Sequence, residues 1–127
     1  MSYTVYRVAY SGLPRDHHTI FVETCEEGPE TGRLFHVSGD IQNGMFFENK
    51  PVRKPDESAT FVSKERIGSV THDNYPRVLT TCENIPPPKK QFQGPKRLYP
   101  DEPLRRCQEW TAEAIQALID AQVLQQP

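Results

Sequence analysis

The chain has 127 residues, with 15 Lys and Arg against 17 Asp and Glu, a formal net charge of −2. That length suits one domain with a real hydrophobic core. The near-neutral balance excludes the strong field that gathers nucleic acid or an acidic membrane. Basic residues fall in small pairs, Lys89-Lys90, Lys96-Arg97 and Arg105-Arg106, without an aromatic-plus-basic stripe, so no nucleic-acid partner is expected. No stretch approaches the ~20 apolar residues of a membrane span, and Met1 to Arg7 lacks the regions of a signal peptide. Three cysteines without regular spacing are a poor disulfide framework. The expectation is a cytoplasmic protein with free thiols.

The pattern reads as strands first and helix last, in a single domain spanning 1–127. Tyr3 to Tyr10 is rich in β-branched and aromatic residues and predicts a strand. Gly12-Leu13-Pro14-Arg15-Asp16 turns the chain. His18 to Thr24 predicts a second strand, Glu26 to Gly32 an acidic hairpin loop, and Arg33 to Ser38 a third strand. Weaker strand signals follow at Met45 to Glu48, Thr60 to Lys64 and Ile67 to Thr71, so that 1–72 is mainly strand. Tyr75 to Thr81 suits a short helical turn.

Half of the 12 prolines lie between Glu83 and Pro103. Such a run forms neither a helix nor a central strand, so 83–103 reads as an extended loop. The last element is a helix over 101–125, with Asp101 as cap and Pro103 in the first turn. Trp110, Thr111, Ala114, Ile115, Leu118, Ile119 and Gln122 recur at spacings of three and four, which is one helical face. Cys107 precedes Trp110 by three and shares that face. The helix should therefore turn Cys107 toward the sheet.

Three residues carry candidate chemistry. His17 and His36 sit on consecutive strand segments, and Cys107 lies in the final helix. A thiol, a base and a polar partner for the base are the minimum for thiol nucleophile chemistry. The same side chains are metal ligands in other settings. Yet no Cys-x-x-Cys or His-x-x-x-His spacing pre-organises a site, so no metal is expected. No glycine-rich phosphate loop is present, and no cofactor is indicated. Cys25 and Cys82 read as structural, with Cys82, beside the proline-rich loop, a minor rival nucleophile. His72 lies in a polar turn.

Taken in order, His17-His18-Thr19-Ile20-Phe21-Val22, Leu34-Phe35-His36-Val37 and Cys107-Gln108-Glu109-Trp110 resemble the circularly permuted papain-like hydrolases. The lecithin retinol acyltransferase-like thiol hydrolases are their best-known members. The resemblance covers three short segments rather than the whole chain. It implies an α+β fold of permuted papain-like type, an antiparallel β-sheet packed against the long C-terminal helix. It also implies that Cys107 is the nucleophile, His17 the general base, and His36 the residue that orients and polarises His17. The implied activity is that of a cysteine hydrolase or acyltransferase acting through an acyl-enzyme on an ester, amide or thioester. Its partner would be a small-molecule or peptide acyl substrate.

Two features depart from that pattern. A helix starting at Asp101 puts Cys107 in its second turn, where the field of the helix terminus has largely faded. In the doublet His17-His18, adjacent strand residues face opposite sides, so one alone can serve. The pattern favours His17, with His18 as a secondary candidate. Gln108 is a candidate oxyanion donor and Trp110 a candidate substrate wall. Two competing readings stand beside the hydrolase. One is a catalytically silent binding or regulatory module on the same fold. The other is a small biosynthetic enzyme using His17 as acid and base.

Overall fold

A computed structural model describes residues 1–12 and 15–127; part of the predicted turn, Leu13 and Pro14, lies outside the described residues. Five strands form one sheet: β1 (Ser2–Tyr10), β2 (His17–Glu23), β3 (Gly32–Asp40), β4 (Gly44–Val52) and β5 (Phe61–Thr71). Their order is β4-β3-β2-β1-β5, with every neighbouring pair antiparallel. With two helices, α1 (Tyr75–Glu83) and α2 (Cys107–Asp120), the fold is α+β. The two separate strand signals at 60–64 and 67–71 are one strand. β5 carries a bulge where Val5 pairs with Gly68 but Tyr6 pairs with Arg66, leaving Ile67 as the extra residue. Gly68 has φ +152°, and a Cβ there would collide with the Gln125 carbonyl that pairs with Ser69. The bulge thus lets the chain's last residues close over the sheet edge.

Strand alternation divides the side chains between two faces. Val5, Ile20, Val22, Phe35, Val37 and Val70 form one cluster with Trp110, Ala114 and Leu118 of α2. The alternate residues Val8, Phe21 and Leu34 form a second cluster, with Tyr6, Tyr10, Val52 and Phe61 around it. Trp110 is fully buried, and its indole N–H donates to the Ile85 carbonyl at 3.0 Å. Full burial of such a ring contributes about 3 kcal/mol, and the satisfied N–H avoids a desolvation penalty.

The C-terminal helix is shorter than predicted. It spans Cys107–Asp120 rather than 101–125, and Asp101 does not cap it. The reason is Gln91, a buried amide. Its Oε1 accepts from the Arg105 N–H at 2.9 Å and its Nε2 donates to the Arg105 carbonyl at 2.7 Å, as a neighbouring strand would. Residue 105 is so held by a side chain rather than by helical bonds, and Arg106 is extended with φ −121° and ψ −169°. Helical hydrogen bonding begins with the Trp110 N–H donating to the Arg106 carbonyl at 3.0 Å. The Arg106 N–H is met by Glu109 Oε1 at 2.7 Å, half of a capping box. At the other end Gln122, predicted on the apolar face, is exposed beyond the helix with φ +60°.

The proline-rich segment is ordered against the sheet edge. The Met45 N–H donates to the Pro88 carbonyl and the Gln91 N–H to the Ile41 carbonyl, at 2.8 and 2.7 Å. A two-residue hairpin, β6 (Phe92–Gln93) and β7 (Lys96–Arg97), follows where only loop was predicted. Among the described residues no helix is long and apolar enough to cross a membrane.

Candidate functional site

Cys107 is the first residue of α2, so its own N–H and that of Gln108 belong to the unpaired donors of the helix N-terminus. Cys107 is 9% exposed and borders a cavity of about 370 Å³. Arg106, Gln108, Asp16, His17, Met45 and Phe92 are among the other residues around it. Sγ lies 4.0 Å from the Asp16 carbonyl oxygen, one peptide unit from His17. Gln108 is tied to the same carbonyl by its Nε2, at 3.1 Å. The bond commits one N–H of the predicted oxyanion donor to the backbone.

His17 opens β2, and its Nε2 lies 2.8 Å from His36 Nδ1. His36 is buried, and its Nε2 lies 2.8 Å from Glu48 Oε1, which also accepts from the Ser38 hydroxyl at 3.0 Å. The β3–β4 hairpin creates this contact by pairing His36 directly with Glu48. The donor directions follow from the end of the chain. Ionised Glu48 can only accept, so His36 donates from Nε2. Neutral His36 then accepts at Nδ1, which requires His17 to donate from Nε2. The bare lone pair of the relay is therefore on His17 Nδ1, the nitrogen that can act as a base.

The electrostatics define the resting protonation state. Burial, followed by the field of His36, lowers His17 from its ordinary 6.5 to about 4. Burial also lowers His36, against the opposing pull of Glu48. The Ser38 hydroxyl and then His36 hold the Glu48 carboxyl below its ordinary value. Burial raises the Cys107 thiol, although the His18 and Gln108 backbone N–H groups favour its thiolate. At neutral pH the site thus holds a protonated thiol and neutral imidazoles. An imidazolium beside the thiol, which would depress its pKa, is not part of this resting state.

Cys107 packs against the strands that carry the histidines, but the two rings do not share its face of the sheet. His36 alternates with Phe35 and Val37, which face α2, so its ring lies on the opposite face of the sheet. His17 joins it there and reaches the thiol cavity only because it stands at the strand's end. The helix therefore does not point Cys107 at the face that carries the histidine pair. His18 lies on the α2 side; its carbonyl accepts from the Thr111 hydroxyl at 3.2 Å, and its backbone N–H rather than its ring serves the thiol. Trp110 is core and does not line the cavity, which overturns its role as substrate wall. Cys82 is fully buried and pushed up to about 12, which removes it as a rival nucleophile. Cys25, expected to be structural, is an exposed free thiol. Among the described residues no cluster of three metal-ligating side chains occurs.

Sequence reasoning missed Glu48 and Ser38. A signal was present: a tight turn between Gly39 and Gly44 pairs residues whose numbers sum to 84, which sets 48 opposite 36.

An α+β domain with a thiol at a helix start and a carboxylate–imidazole–imidazole relay is the class of protein that fold and site define. A model of a family of unknown function (DUF6540) matches residues 5–125, and the chain belongs to that family. No curated protein and no solved structure matches it.

Proposed function

We propose that the protein is a cysteine-dependent hydrolase or acyltransferase with a site of permuted papain-like type. One observation carries the reading: Cys107 and His17 border a single cavity, and the relay to Glu48 leaves the His17 Nδ1 lone pair free. His17 takes the thiol proton as sulfur attacks an acyl carbon, and the imidazolium keeps its Nε2–H on His36. The Cys107 N–H at the helix start supports the oxyanion. The bond from the acyl carbon to its alcohol, amine or thiol leaving group then breaks, and His17 gives its proton to that group. His17 next takes a proton from water or a second acceptor as it attacks the thioester, and returns it to sulfur as the acyl group leaves.

The test is acyl capture. The protein is mixed with p-nitrophenyl esters and acyl thioesters of graded chain length, quenched, and the Cys107 peptide is weighed. The expected result is an acyl adduct on Cys107, absent in Cys107→Ala and reduced at least a hundredfold in His17→Ala. Turnover that survives Cys107→Ala sinks the thiol reading and moves the chemistry to His17 as acid and base. A second reading, a catalytically silent binding module, is favoured by the raised thiol pKa and by the histidines' place on the face away from α2. No adduct with any acyl donor supports that module.

A further inference from the structure

The face of the sheet away from α2 carries a second recess, separate from the thiol cavity except at His17. It is an open basin of about 560 Å³. Its apolar wall is Leu34 and Val52; Tyr10, Ser58 and Thr60 add hydroxyls. The charge around it is lopsided. Lys50, Arg53 and Lys54 line it, with Glu57 as the carboxylate among the lining residues. Lys54 is paired with Glu30 at 3.5 Å, whereas Lys50 and Arg53 have no salt-bridge partner among the described residues. Two uncommitted cations over one basin contrast with a chain whose net charge is −2.

The rim is also shaped for a fixed ligand. Residues 53–60 leave β4, make one 3₁₀ turn at Pro55–Glu57 with Pro55 buried, and return to β5. Proline limits the turn's backbone freedom, so the cations hang from a stiff strand end and a stiff turn. Long-range attraction to an anion is strongest in a concave site with low-dielectric walls.

We propose that this basin binds the carboxylate or phosphate group of a small molecule through Lys50 and Arg53, with the ligand's apolar body against Leu34 and Val52. Arg53 supplies a planar fork for two oxygens, and Lys50 a point charge. The position of His17 gives the site a consequence. Burial is the main reason the protonated forms of His17 and His36 are disfavoured; Lys50 adds to it, and the Glu48 carboxylate opposes it. A bound anion offsets the field of Lys50 and makes both rings easier to protonate. The basin is therefore placed to report its occupancy to the residue that borders the thiol cavity.

The inference does not rest on thiol chemistry, and its test keeps the two apart. Isotope-labelled full-length protein is titrated with sodium phosphate, and separately with sodium acetate, at pH 7 and constant ionic strength. Backbone and imidazole resonances are followed by NMR. The expected result is a saturable shift confined to residues 50–60, His17 and His36, with one of the two anions preferred. The preferred anion identifies the head group. Lys50→Gln/Arg53→Gln should weaken binding at least tenfold. Arg66→Gln/Lys96→Gln, which removes equal charge from exposed positions elsewhere, should leave it within twofold. Cys107→Ala should bind as the parent does. Shifts that grow linearly with concentration, spread over all surface lysines, or persist in the Lys50/Arg53 variant would overturn the assignment.

Discussion

Acidification from pH 7 to pH 5 should destabilise this fold, and His17 should account for much of the effect. Burial lowers its pKa from 6.5 to about 4. The folded chain thus binds the proton less tightly than the unfolded chain, so unfolding takes up protons and acid favours it. The stability is fully present above pH 6.5 and is lost progressively as the pH falls toward 4. At pH 5 the linkage relation gives a loss of about 2 kcal/mol for these two values. His17 borders two recesses and is partly reached by solvent, so screening reduces this to about 1 kcal/mol. His18 and His36 are also lowered and act in the same direction. Glu48 adds to it only at lower pH, because its depressed carboxyl contributes stability that is lost below its ordinary 4.5. Thermal unfolding should be followed at pH 7 and pH 5, at one ionic strength, for the parent and His17→Gln. The parent should lose roughly 3–5 °C more than the variant between the two pH values. Equal pH slopes in the two proteins would show that His17 is not held neutral by burial, and the protonation state assigned to the relay would fall with it.

Two further perturbations test the supports of the site. Gln91→Ala removes both bonds to Arg105 and leaves that backbone unpaired, which should cost about 2 kcal/mol. Amide hydrogen exchange should accelerate at 105–109 in that variant while β1 and β2 stay protected; uniform acceleration would mean that Gln91 does not position the helix start. Trp110→Ala should cost about 3–5 kcal/mol in urea denaturation, from the cavity and the lost bond to Ile85. A loss below 1 kcal/mol would contradict its place at the centre of the core.

Local signals were enough for β1, β2 and β3 and for the apolar face of the last helix. Alternation of β-branched and aromatic residues marked β1, β2 and β3 within two residues of their ends, because a half-buried strand needs that period whatever it packs on. Trp110, Ala114 and Leu118 announced a helical face for the same reason. The start of α2 was not legible, since Asp101 and Pro103 form a sound local start signal. What overrides it is the buried Gln91 side chain, 14 residues from Arg105 in sequence. That one contact moves Cys107 from a second turn to the first helical residue and changes which backbone donors surround its sulfur.

The residue types of the site belonged to the sequence: a histidine on each of two strands and a cysteine before a helical face. Their relations belonged to the tertiary structure. A period of two says that His17 and His18 part ways, but not which of the two faces receives α2; the packing of Phe35, Val37 and Trp110 decides that. The β3–β4 register brings in Glu48, which sets the donor directions of the whole relay. Burial, a property of the assembled chain alone, holds the imidazoles neutral and the thiol protonated. Composition could supply the reacting groups, but proton affinity depends on surroundings that exist only once the sheet, the helix and the loops have closed around them.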